Sequence, residues 1–180
     1  MPAKKKRATA RPRQRRVDFA AVSSISARVN LEDISTISFS AEALQPLAGL
    51  FAPQLDQRVR VMGALAGSAD ESAAVMIKAE YAAMHEGAEV ARVQATLLAS
   101  YSLRDGGAWD DLPSEAVDQF AEINGIYNTW SYIRELVGSS LTRVGLSGVL
   151  LPVWRPPAVL PPKGEFFVIH HHADAKDDPA

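Results

Sequence analysis

Three successive stretches between residues 57 and 104 alternate apolar and polar side chains, and the breaks between them are too short to hold a helix. The third is the clearest: Val93, Ala95, Leu97, Ala99, Tyr101 and Leu103 alternate with Arg92, Gln94, Thr96, Ser100, Ser102 and Arg104. A period of two is what a sheet with one buried and one wet face imposes. Strands are therefore predicted over 57–66, 72–84 and 89–104, the first with Val59, Val61 and Leu65 inward and Arg58 and Arg60 outward. The links, Gly67-Ser68-Ala69-Asp70 and His85-Glu86-Gly87, are of hairpin length. A parallel crossover needs a dozen residues or more, so these neighbours are antiparallel. The pattern is a meander, and a doubly wound nucleotide-binding fold is excluded.

The flanks complete the expected architecture. Ile25, Ala27, Val29 and Leu31 alternate with Ser26, Arg28 and Asn30, and Ile34, Ile37 and Phe39 follow, which predicts an earlier, broken strand. Pro46, Gly49 and Pro53 make 41–56 an irregular crossover whose Leu44, Leu47, Leu50, Phe51 and Leu55 need a surface to lie on. After Gly106-Gly107 the period changes to that of a helix. Pro113-Ser114-Glu115 opens a short one with Val117, Phe120 and Ala121 on one face, and Gly125 is read as its stop. A longer helix is predicted from Asn128 or Thr129 to Val144, with Trp130, Ile133, Val137, Leu141 and Val144 on one face and Gly145 as its cap. The expected fold is α+β: a four-stranded antiparallel sheet with a short and a long C-terminal helix packed on one face.

Charge divides the chain into zones. Residues 1–16 hold eight of the 19 Lys and Arg and none of the 21 acids, leaving 11 cations against 21 acids, a formal −10, in the remainder. So basic a segment, lacking apolar residues, does not pack a core. The expected division is a disordered basic tail over 1–20, an α+β domain over 21–154, and a Pro-rich and acidic extension over 155–180. The tail has two open readings, a solvated segment or a nucleic-acid contact through residues 1–16. No apolar stretch reaches the roughly 18 uncharged residues of a membrane span, and Lys4, Lys5, Lys6 and Arg7 precede no apolar run. A chain with no cysteine has no disulfide framework, thiolate zinc site or cysteine nucleophile. Together these point to a cytoplasmic protein without membrane contact.

Reactive groups do not converge in the sequence. Gly145-Leu146-Ser147-Gly148 approaches a nucleophile elbow, but Val149 stands where that motif needs Gly, and the Ser follows a helix. There is no phosphate-binding glycine motif and no paired-His helix. His170, His171 and His172 are consecutive, which does not preorganise a tetrahedral metal shell, and His85 beside Glu86 reads as a turn residue. The expectation is a protein that is not an enzyme, with no metal and no cofactor. What the chain has in excess is apolar and aromatic surface: Phe51, Leu55, Trp109, Phe120, Tyr127, Trp130, Tyr132 and Trp154. One sheet and two helices bury part of this set, and the rest is available for a groove or an oligomer interface.

The segment Asn128-Thr129-Trp130-Ser131-Tyr132-Ile133-Arg134-Glu135, continuing through Leu141-Thr142-Arg143-Val144-Gly145-Leu146 to Leu150-Leu151-Pro152-Val153, resembles the signature of the SecB family of protein-export chaperones. Ile37-Ser38-Phe39 in an early strand, a loop with Phe51, and strands ending at Tyr101-Ser102-Leu103 agree in order, so that the resemblance covers about 27–153. It implies an ATP-independent holdase that binds unfolded or nascent chains, preproteins or an antitoxin, in apolar grooves. It also implies a homo-oligomer, a tetramer built as a dimer of dimers through long helices and sheet edges. By matched position the client-binding residues are Phe51, Leu55, Tyr101, Trp130 and Tyr132, with Leu55 standing where the family has Trp. Arg134, Glu135, Val137 and Leu141 are assigned to the oligomer interface. SecA, the motor that such chaperones serve, is implied as a partner and docks on acids of the wet sheet face; here Arg92, Gln94 and Ser40 occupy the matching positions, and Glu32 and Asp33 are the acidic candidates near the first strand. Two other classes fit the same composition, a nucleic-acid-associated module led by the tail and a non-chaperone oligomeric scaffold.

Overall fold

The computed structural model describes residues 15–50 and 55–172. In chain order the elements are β1 (Arg15–Arg16), α1 (Phe19–Ser26), β2 (Val29–Ala43), β3 (Asp56–Ala69), β4 (Ser72–His85), β5 (Ala88–Leu103), α2 (Ser114–Phe120), a π-helical turn (Ala121–Gly125), α3 (Ile126–Arg143), β6 (Val159–Leu160) and β7 (Phe167–His171). Strands β3, β4 and β5 form the meander that the alternation predicts, within two or three residues at each end. The β4–β5 hairpin turns on Glu86 and Gly87, both with positive φ, the backbone twist that a two-residue connection between right-twisted strands requires.

The main sheet has five strands, in the order β2-β5-β4-β3-β7, every pair antiparallel. The sequence reading had four. The fifth, β7, comes from the Pro-rich extension and pairs Phe167–His171 with Gln57–Val61 along the edge of β3. The helices lie on one face, over β3, β4 and β5. There Val61, Val75, Ile77, Leu97 and Tyr101 of the sheet meet Phe120, Ile123, Ile126, Ile133 and Leu141 of the helices, all buried. Tyr101 packs edge-on against Phe120 with ring centroids 5.2 Å apart, and Trp109 lies 5.9 Å from the same ring.

Two helix boundaries differ from expectation for identifiable reasons. Ile25 and Ala27, read as strand, belong to the end of α1, which starts where the Asp18 carboxylate accepts the Ala21 N–H at 3.0 Å. Val22 and Ile25, three apart, give α1 its buried side, so the strand begins only at Val29. Gly125 does not stop a helix. It lets α2, the π turn and α3 run on as one rod pressed against the sheet, since a Cβ there would stand 2.7 Å from Val75 Cγ1. Gly145, with φ of 98°, does end α3. The N–H groups of Gly145 and Leu146 return to the carbonyls of Thr142 and Leu141 at 3.2 and 2.8 Å, closing a Schellman cap.

Order also reaches into both terminal segments. Arg15 and Arg16 pair with Leu160 and Val159, and Arg15 donates to Glu122 at 2.9 Å and contacts Glu115 at 3.3 Å. The bond to Glu122 raises the Arg15 pKa. It also supplies the counter-charge that lets Glu122 lie buried in the π turn. The remaining cations of the basic tail, and the acidic residues 173–180, lie outside the described residues.

One core group sets a stability prediction. The Tyr81 hydroxyl is buried with no hydrogen-bond partner among the described residues, and burial pushes its pKa upward. The folded chain then keeps a proton that the unfolded chain loses above about pH 10, so this contribution is complete below that pH and falls as pH rises toward the folded value. Tyr81→Phe is expected to stabilise by about 1 kcal/mol and to flatten the alkaline decline. Urea unfolding at about pH 8 and about pH 10.5 reads both effects; a destabilised variant would contradict the burial argument.

Candidate functional site

Helix α3 and the segment that follows it form the walls of an apolar groove. Tyr127, Trp130, Ser131 and Arg134 recur at the three- and four-residue spacing that places them on one helix face. The Schellman cap turns the chain back, so that Pro152 and Trp154 run beside that face. Trp130 Nε1 donates to the Pro152 carbonyl at 2.8 Å, and the Trp130 and Trp154 rings lie 5.6 Å apart. Trp154 in turn meets Phe167 of β7 edge-on at 5.3 Å. This ladder of three aromatic rings ties helix, return segment and fifth strand together.

Two depressions open along the ladder. One of about 330 Å³ is lined by Tyr127, Asn128, Trp130, Ser131, Arg134, Val153 and Trp154. The other, of about 230 Å³, is lined by Pro152, Val153, Trp154, Arg155, Pro157, Phe167, Val168 and Ile169. Val153 and Trp154 border both, so the two depressions are neighbours in one surface groove. Its rim is apolar and open: Tyr127 is 61% and Val153 68% exposed, and Val168 is half exposed. Two buried donors beside it, Trp154 Nε1 and Arg134 Nε, have no acceptor among the described residues.

A second apolar surface lies on β2, fifteen residues long and at the edge of the sheet. Register places Leu31 opposite Tyr101 and Phe39 opposite Ala95, so both side chains are on the helix-covered face. The helices stop short of this edge. Leu31 and Phe39 are left 42% and 43% exposed, with Ile37, Leu44 and the outer backbone of the strand uncovered as well. Long apolar edges of this kind are templates for pairing with another chain.

The opposite face of the sheet is wet and mixed in charge. Arg60 pairs with Glu80 at 2.7 Å, and Glu89 is held by Arg92 at 2.6 Å and Arg58 at 3.9 Å. Glu80 and Glu89 are thus engaged by arginines of the same face, while Asp33 and Glu42, opposite Ser100 and Arg92, and Glu32, bonded to Ser102, add acids along β2.

The structure separates the residues singled out in the sequence. Leu55 and Tyr101 are fully buried, Tyr101 accepting a hydrogen bond from Asn128 Nδ2 at 3.0 Å, and are core rather than groove. Trp130 is a buried wall of the groove. Tyr132 is exposed, but five residues place it about 140° round the helix from Tyr127, away from the groove. Phe51 lies outside the described residues. Of the four interface residues, Val137 and Leu141 are buried in the chain's own core, Arg134 lines the groove, and Glu135 is exposed. Tyr127 and Trp154, in the aromatic set available for a groove, do line it; the groove residues not foreseen are Val153, Phe167 and Val168, at or beyond the end of the expected domain. The aromatic and β-branched run Phe166-Phe167-Val168-Ile169, standing in a Pro-rich context, is the signal that marks them.

Metal and membrane chemistry find no site among the described residues. No cluster of three or more His, Asp or Glu is placed to hold a metal ion, and no helix is long and apolar enough to cross a membrane. The histidine run is divided by the strand: His170 and His172 stack on one side of β7, 6.3 Å apart, and His172 faces Asp56 at 3.4 Å.

No protein-family model matches the chain, and no curated protein matches it. Among solved structures it is similar to a SecB-like chaperone of Mycobacterium tuberculosis, solved in complex with a ChAD peptide from the HigA1 antitoxin. The TM-score is 0.63 at 19% identity, over 76% of this chain and 94% of that one. A protein of unknown function from Streptococcus agalactiae has a TM-score of 0.42 at 14% identity, over 69% of this chain and 96% of that one, and carries no weight here. The fold is SecB-like.

Proposed function

We propose that this SecB-like chain is a molecular chaperone, an ATP-independent holdase that binds unfolded or nascent polypeptide without a cofactor. The observation that carries the reading is the open apolar groove between α3 and the 152–169 segment, its rim formed by Tyr127, Val153 and Val168. The fold adds support, because the similar mycobacterial chaperone was solved with an antitoxin peptide.

The mechanism follows from burial. An extended client gains about 1.5–3 kcal/mol for each large apolar side chain it buries, while its backbone stays polar and exchangeable. With association costing at least about 4 kcal/mol, micromolar binding near −8 kcal/mol needs about 12 kcal/mol of burial, roughly four to eight such side chains. The exposed rim is apolar, so hydrophobic pattern dominates client choice, while Asn128, Ser131 and Arg134 offer polar contacts to the client backbone. The working form is a homo-oligomer in the cytoplasm, a dimer of dimers in which β2 edges and the outer side of α3, with Tyr132 and Glu135, meet other copies. Arg58, Arg60 and Arg92, which pair Glu80 and Glu89 on the wet face, disfavour the docking of a cationic motor surface there. That favours a dedicated client of the antitoxin kind over delivery to SecA.

The groove is tested by replacing its exposed rim. Tyr127→Ser combined with Val153→Ser is expected to weaken binding of a reduced, alkylated unfolded protein about tenfold, or 1.4 kcal/mol. Because both side chains are exposed, folding stability should stay within about 0.5 kcal/mol. Fluorescence anisotropy without nucleotide measures the affinity. Unchanged affinity in the double variant would place the client elsewhere.

A further inference from the structure

Strand β7 is attached to the domain in the manner of a ligand. It is five residues long, pairs with β3 alone, and covers only Gln57–Val61 of a strand that continues to Ala69. It is joined to the preceding segment by a tight turn in which the Glu165 N–H reaches the Pro162 carbonyl at 2.9 Å and Gly164 takes a positive φ. Its one deeply buried side chain is Phe167, at 9% exposure; Val168, His170 and His171 face water. Register puts Phe167 beside Val61 and Ile169 beside Val59, on the core side, and Val168 beside Arg60. Outside the backbone ladder it is held by the Trp154 contact, the Arg60 guanidinium stacked 4.4 Å over Phe166, and an exposed His172–Asp56 pair.

We infer that the Gln57–Val61 edge is a strand-acceptor site for extended client polypeptide, and that β7 is the chain's own resident occupant, displaced when a client binds. This rests on the chaperone reading and deepens it. The edge offers main-chain hydrogen bonds that any sequence can make. The space taken by Phe167 and Ile169 accepts an aromatic and a β-branched side chain two residues apart, and the opposite side of the incoming strand is wet and tolerates polar residues. The site adjoins the second depression, one wall of which is β7 itself through Phe167, Val168 and Ile169, so a client strand that replaces β7 also takes over that wall. An empty chaperone keeps its sheet edge covered.

The test locks the strand in the full chain. The sequence has no native cysteine, so Arg58→Cys with His170→Cys, directly opposed across β3 and β7, gives a single possible disulfide. One probe is a fluorescent synthetic peptide with the sequence of residues 164–172; the second is a reduced, alkylated unfolded protein. Oxidation of the lock is expected to weaken binding of both at least tenfold, and reductant should restore it in the same sample. In the unlocked chain, Phe167→Ser should tighten peptide binding several-fold by loosening the resident strand. If locked and unlocked forms hold the unfolded protein equally, strand displacement is overturned and the chaperone reading stands. If the peptide exchanges and is blocked by the lock while no form holds the unfolded protein, the acceptor site stands and the chaperone reading fails. Unchanged peptide affinity in both the oxidised lock and Phe167→Ser overturns the inference outright.

Discussion

Ile37→Lys combined with Phe39→Lys is expected to break the proposed dimer of dimers at β2 and leave folded dimers joined through α3. Both side chains are exposed in the protomer, at 61% and 43%, so their replacement removes little from the core, and stability should change by less than about 0.5 kcal/mol per site. The effect on assembly is of another order. Two copies meeting along β2 would bury these positions, and a lysine there either leaves an unpaired ammonium in the contact or keeps the strands apart, the device by which edge strands avoid pairing. A loss of about 3 kcal/mol, more than a hundredfold in the association constant of that contact, follows. Sedimentation velocity reads it directly. An unchanged oligomer in a double variant with intact circular dichroism would remove β2 from the assembly and leave the outer side of α3 as its main contact.

Gly63→Ala is expected to cost the fold about 3 kcal/mol or more. Strand β3 approaches the helical rod so closely at this point that a Cβ would lie 2.3 Å from the Ala121 carbonyl oxygen. The neighbouring atom is backbone in the π turn and is flanked by buried Phe120 and Glu122; it has no flexible end to swing aside. Relief requires moving α2 and α3 away from the sheet, and with them one wall of the groove. Gly67→Ala is the control, because nothing stands within 4 Å of its Cβ. The pair compared by urea unfolding should differ by nearly the whole amount. Equal stability would mean that the rod is free to shift on the sheet.

The meander was legible because every neighbour in it is hairpin-linked, so that period and link length together fix pairing and direction. The capped end of α3 was legible for a similar reason: Gly145 is the residue that its positive φ demands. Gly125 was misleading because a glycine in a helical pattern has two meanings, a stop or a close approach, and only the position of Val75, fifty residues earlier, decides between them. The strand at Ile25 was misread because Val22 and Ile25 satisfy a helical spacing as well as Ile25, Ala27 and Val29 satisfy a strand. Leu55 and Tyr101 carry no local mark that distinguishes core from groove. The burial of Tyr101 depends on Phe120 and Asn128 of the helices lying across it, a long-range fact. The groove's second wall lies in a segment whose prolines argue for a linker, and it is a fold element because Trp154 meets Trp130 across more than twenty residues of chain and Phe167 meets Trp154.

The central claim is that this protein holds unfolded chains without consuming nucleotide. The most direct measurement dilutes a chemically denatured, unrelated protein into buffer with and without the purified full chain, and follows light scattering. Suppression without nucleotide is expected to saturate near one client per oligomer and to weaken in the Tyr127→Ser, Val153→Ser variant. Scattering unchanged by an excess of folded, assembled protein, together with no saturable binding of an unfolded chain, would contradict it.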